Sequence, residues 1–155
     1  MEFLLFLTAK EKEILELVYK AGFSVEENTP LCFLGENYVG FLKKRQRAIV
    51  ICTENAKLNS GYSIPGPNRN AAKSRTAISI KKAIRHEATH VAQDCNNSNL
   101  LGILKEDKKI HKWYKKNAII SSTSIGKIKQ EREEEAYYME DRPNLVISAL
   151  EKYCL

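Results

Sequence analysis

The sequence predicts a single α+β domain in which a short mixed or antiparallel sheet packs on a central helix, with further helices towards the C-terminus. Three observations predict it. Apolar residues recur at helical spacing close to the N-terminus. Two apolar runs between residues 38 and 53 are joined by a polar link. Beyond about residue 81 the pattern is helical again, broken at Asp141-Arg142-Pro143. The 155 residues, 43% apolar and 28% charged, suit one domain with its own core. Within it, residues 1–22 form the N-terminal helical part, 37–95 the sheet with the central helix, and 96–155 a helical remainder.

Thr8-Ala9-Lys10-Glu11 is a capping-box pattern. Ile14, Leu15, Leu17, Val18 and Ala21 follow at helical spacing and Gly22 closes the run, so a helix is predicted over about 9–21. Residues 38–42 and 47–53 read as strands, the second holding Ala48-Ile49-Val50-Ile51-Cys52. Lys43-Lys44-Arg45-Gln46 reads as their hairpin link. Residues 55–70 are rich in Asn, Ser, Gly and Pro, which is loop chemistry, and loops of that length often border a site. Residues 76–80 read as a short strand leading into a helix over about 81–95. On that helix Ile80, Ile84, Ala88, Val91 and Cys95 form one apolar stripe. A helix near 106–116 turns Ile110 and Trp113 inward, residues 121–124 form a polar break, and another helix covers about 125–140. Pro143 suits a first helical turn, so the last helix starts there and points Leu145, Val146, Ala149, Leu150 and Tyr153 inward.

The net charge of +6 sits in clusters around Lys43-Lys44-Arg45, over residues 105–116, and at Lys127 and Lys129. No aromatic-studded basic groove accompanies them, so they read as a solvated surface, and a nucleic-acid partner is not favoured. The apolar run at residues 3–7 is too short to span a membrane and passes directly into Lys10-Glu11-Lys12-Glu13, so neither a membrane partner nor a signal peptide is expected. Cys32, Cys52, Cys95 and Cys154 match neither a CxxC pair nor a zinc knuckle. They read as mostly buried thiols, which predicts a reducing, cytoplasmic setting.

The chemistry concentrates in His86-Glu87-Ala88-Thr89-His90. Four residues apart on a helix, His86 and His90 share one face and can grip one tetrahedral Zn2+. Glu87 is displaced by about a hundred degrees around the axis. Its carboxylate is therefore placed to act as general base on a water held at the metal rather than to bind the metal itself. A catalytic zinc takes three protein ligands, and the acidic run Glu131-Arg132-Glu133-Glu134-Glu135-Ala136 is the natural source of the third.

His86-Glu87-Ala88-Thr89-His90 followed by Glu133-Glu134-Glu135-Ala136 resembles the gluzincin branch of the zincin metallopeptidases. The resemblance covers two short motifs and their order. It implies a small zincin-like fold, one bound Zn2+, and hydrolysis of a peptide or protein substrate by zinc-activated water. It selects Glu133 as the third ligand, with Glu134 as runner-up and Glu135 supporting the ligands. Ala136 is explained physically, since residues i and i+3 share a face and a small one lets the ligand helix approach closely. The sequence departs from the family in one respect. Several gluzincins carry an Asp four residues after the ligand Glu, and here that position is Tyr137. Its hydroxyl could hydrogen-bond a ligand or a developing oxyanion, or its ring could simply pack. Both readings stay open.

Two other readings remain. One is a zincin fold without turnover, serving as a binding or regulatory module. The other is a DNA-associated protease of the SprT-like type, with His111 as third ligand. The metzincin pattern is excluded, because it needs Gly and His where this chain has Gln93 and Asn96. Gln93 and Asp94, one turn beyond His90, either support a ligand imidazole or form a polar helix end.

Overall fold

The computed structural model describes residues 1–62, 66–103 and 126–155. The expected helix near 106–116, the break at 121–124 and His111 lie outside the described residues. The class is the predicted one: among the described residues, five α-helices and a three-stranded mixed sheet form one α+β domain.

Strand β1 (Ser24–Glu27), β2 (Gly40–Lys43) and β3 (Ala48–Ile51) take the order β1-β3-β2. β2 and β3 form the predicted antiparallel hairpin, Gly40 facing Ile51 and Lys43 facing Ala48. β1, which the sequence pattern does not reveal, pairs with β3 in parallel, from Ser24 with Ala48 to Glu27 with Ile51. Central β3 is buried on both sides, which explains its unbroken apolar run. Ile49 and Ile51 enter the main core, while Val50 and Cys52 form a small cluster with Cys32 on the opposite face. That is the period of two expected of a strand.

Helix α1 (Ala9–Lys20) starts at Thr8 and buries Ile14, Leu15, Leu17 and Val18, as predicted. The Thr8 hydroxyl donates to the side chain of Glu11 and accepts no hydrogen bond from a helix amide. Two predictions between residues 53 and 80 fail. Helix α2 (Thr53–Asn59) occupies the start of the expected loop. Residues 76–80 are not a strand, because helix α3 runs without a break from Arg69 to Cys95. Thr76 is accommodated there by donating its hydroxyl to the Ala72 carbonyl at 2.8 Å. Over 27 residues α3 is about 40 Å long. Its stripe of Ile80, Ile84, Ala88 and Val91 is fully buried, and it packs against α1, the sheet, and the helices α4 (Gly126–Met139) and α5 (Pro143–Cys154). In α5, Val146, Ala149 and Leu150 face inward as predicted, but Leu145 is exposed and Ile147 takes the inner place.

The cysteines are not free thiols. Cys32 bonds to Cys52 and Cys95 to Cys154. The first bridge ties the short 3-10 turn Pro30–Leu34 to the end of β3, and the second joins the C-termini of α3 and α5. The reducing setting inferred from free thiols loses its premise. No helix among the described residues is long and apolar enough to cross a membrane.

Candidate metal centre

His86 and His90 project from one face of α3 with their ring centroids 4.9 Å apart. Each has its Nδ1 engaged. His86 Nδ1 lies 3.0 Å from Glu140 Oε1, and His90 Nδ1 lies 2.8 Å from Gln93 Oε1. A carboxylate and an amide oxygen only accept, so both Nδ1 atoms carry the proton and donate. That fixes the tautomer that leaves each Nε2 lone pair available. The two Nε2 atoms converge to 3.2 Å.

Glu133, brought in by α4, meets both rings. Its Oε2 is 3.1 Å from His86 Nε2 and its Oε1 is 2.9 Å from His90 Nε2. Among the described residues, His86, His90 and Glu133 form the group with ligand atoms close enough to hold one metal ion. Tetrahedral zinc with ligands at about 2.0–2.1 Å would hold them about 3.3 Å apart. The three ligand atoms, one from each residue, lie within 4.8 Å of one another. On the next turn of α4, Ala136 is fully buried.

The surroundings are built from a connected set of hydrogen bonds. Gln93 Nε2 donates to Glu135 Oε1 at 2.9 Å and to the Arg132 carbonyl at 3.0 Å. Glu135 in turn accepts from the backbone amides of Leu101 and Gly102. Gln93, held by Glu135, thus fixes the His90 ring, whereas Asp94 turns to Lys44. Glu134 is buried and accepts from Gln130 at 3.3 Å, apart from the ligand cluster. Tyr137 sets its ring edge-to-face on His86, with centroids 4.6 Å apart.

Sequence reasoning missed Glu140. It lies seven residues after Glu133, two turns along the same face, and accepts the Nδ1 proton of His86. The signal was the i, i+7 spacing itself. Behind it, Arg85 donates to the Glu140 carbonyl at 2.7 Å and to the buried Glu11 at 2.5 Å.

Electrostatics follow from this packing. Burial disfavours a charged His86, yet its hydrogen bonds to Glu133 and Glu140 outweigh burial and push its pKa up to about 10. Burial likewise opposes ionisation of Glu133, but hydrogen bonds from both histidines hold its carboxyl well below the usual carboxylate range. A proton can therefore hold the three groups together, and a cation would displace it. Glu87 behaves differently. It is buried, burial pushes its carboxyl pKa up, and it makes no hydrogen bond to a described residue. It lies against Gly40 of β2, where an added Cβ would come within 3.1 Å of Glu87 Cγ.

These groups sit in an open cleft of about 1080 Å3, walled by β2 and the residues before it, by α3 and by α4. Neither the curated proteins nor the solved structures yield a match. The family described as Domain of unknown function (DUF8637) matches residues 3–155, nearly the full length, and the chain belongs to that family.

Proposed function

We propose that this protein is a zinc-dependent metallopeptidase of the gluzincin type, with His86, His90 and Glu133 as metal ligands and Glu87 as general base. One observation carries the reading. Two imidazole Nε2 atoms, with their Nδ1 protons committed elsewhere, converge with a carboxylate from a second helix, and beside them stands a buried carboxylate with no hydrogen bond to a described residue. Bound zinc would supply Lewis acidity and make water acidic enough to react near neutral pH. Glu87 takes the water proton and passes it to the leaving amine, a task that suits a carboxyl whose pKa burial has raised. Glu140, Gln93 and Glu135 keep the imidazoles aimed, and the Tyr137 ring closes one side of His86. A module without turnover has no use for Glu87 in this position.

The strand that receives substrate is β2. Among the described residues β2 is an edge strand, and it lines the cleft. The amide of Cys52 bonds the Val39 carbonyl, so by antiparallel alternation Gly40 and Leu42 turn their amides and carbonyls outward. An extended peptide can add there. The two disulfides favour an oxidising compartment over the cytoplasm.

Metal analysis tests the reading. Zinc near one per chain is expected, lost in Glu133→Ala and kept in Glu87→Gln, which loses peptide hydrolysis. Metal retained by Glu133→Ala but lost by His111→Ala would discard the gluzincin assignment.

A further inference from the structure

We propose that the cleft selects peptides carrying a carboxylate, which Lys129 binds together with Arg132. The inference rests on the metallopeptidase reading and adds its substrate class. It starts from where the charges of the cleft are used. Among the described residues, the cleft is lined by four basic side chains, Lys44, Lys82, Lys129 and Arg132, and by four acidic ones, Glu87, Asp94, Glu133 and Glu140. All four carboxylates have a place: Glu133 and Glu140 on the histidines, Glu87 against Gly40, and Asp94 at 3.4 Å from Lys44. A divalent ion then leaves the cleft with an excess of positive charge.

The cations are less well provided for. Lys82 reaches Asp141 only at 3.7 Å, and both are exposed. Arg132 gives a single 3.3 Å hydrogen bond to the Ser98 carbonyl, with no carboxylate partner among the described residues. Lys129 is half-buried, lines the cleft and has neither carboxylate nor carbonyl partner among the described residues. Partly desolvating an ammonium without an anion is unfavourable, and an incoming carboxylate repairs it.

Position makes this a substrate subsite. Lys129, Arg132 and Glu133 stand at i, i+3 and i+4, on one face of α4. Lys129 therefore lies four residues, about 6 Å of helix rise, before the ligand Glu133. An extended peptide advances about 3.3–3.4 Å per residue. The carboxylate therefore falls one or two residues from the peptide bond over the metal. An acidic side chain and a C-terminal carboxylate offer the same chemistry there.

Calorimetric titration of the zinc-loaded Glu87→Gln protein at low salt tests the proposal without requiring turnover. Four versions of one peptide are compared: neutral with an amidated C-terminus, with one Gln changed to Glu, with a free C-terminus, and with both changes. At least ten-fold tighter binding is expected for a carboxylate-bearing peptide over the neutral one, and the two single changes identify which carboxylate is read. Lys129→Met should abolish the preference with zinc content unchanged, and Lys129→Arg should keep it. Equal binding of all four peptides, no binding of any, or a preference surviving in zinc-loaded Lys129→Met would overturn it. Hydrolysis by the unmodified protein is scored separately. Charge preference without hydrolysis removes the peptidase and leaves the subsite, and hydrolysis without charge preference does the reverse.

Discussion

Glu140 accepts the Nδ1 proton of His86 across 3.0 Å from the end of α4, where the Arg85 guanidinium anchors its carbonyl. Without the carboxylate the imidazole is less basic and free to turn. Glu140→Gln is expected to weaken zinc binding about 10–100-fold, read by competition with a chelator. Unchanged affinity would separate Glu140 from the metal. The histidine pair was legible because helical pitch alone brings residues i and i+4 together. The acidic run was legible from its composition, but only the family resemblance singled out Glu133 within it. Glu140 was not, since a single Glu just before Asp141-Arg142-Pro143 reads as an ordinary charged helix end. Gly40 left no signal either, because its importance lies in a contact with Glu87, far away in sequence.

At the scale of elements, the error over residues 76–80 arose from alternation. Thr76, Ile78 and Ile80 would share a face in a strand, yet Thr76 and Ile80 are fully buried while Ile78 is 51% exposed. The buried set Ala72, Thr76, Ile80 and Ile84 steps by four, which extends the helical stripe backwards. Ile80→Ala is expected to cost about 2–5 kcal/mol of unfolding free energy, and Ile78→Ala less than about 0.5 kcal/mol, measured by urea denaturation. Similar costs would restore the strand. Helix α2 escaped notice because Asn55 and Asn59 look like loop residues. Their amides instead donate to the carbonyls of Cys32, Gly35, Tyr38 and Glu36, so the helix holds the approach to β2. Helices α1 and α3 are coupled by Glu11 and Arg85. Burial opposes the Glu11 charge, but the Thr8 hydroxyl and the Arg85 guanidinium outweigh it and lower the pKa from 4.5. A lowered folded value stabilises above the unfolded pKa, and that stability is lost as pH falls through the folded value. Glu11→Gln should therefore cost about 1.5–3 kcal/mol at pH 7. The gap to the unmodified protein should narrow below about pH 4.5, followed by thermal melts across pH. A gap independent of pH would mean that Glu11 acts through packing alone.

For the molecule as a whole, the fold class was legible from periodicity, but the covalent framework was not. Four cysteines allow three pairings, and separations of 20 and 59 residues carry no signature of any of them. The Cys95–Cys154 bridge closes the longer loop, which includes Glu133. Replacing both of its cysteines by Ser is expected to remove about 2–5 kcal/mol of stability, measured by denaturant unfolding without reductant. Equal stability would show that the helices dock without it. An exposed strand edge such as that of β2 is also a hazard, since any sheet with an open margin can stack onto its own copies. Here the margin forms one wall of the cleft, with α3 and α4 as the others, and ends at Lys43 and Lys44. Lysines at a sheet margin oppose such stacking. The same edge can thus accept a guest strand while its charges discourage clumping.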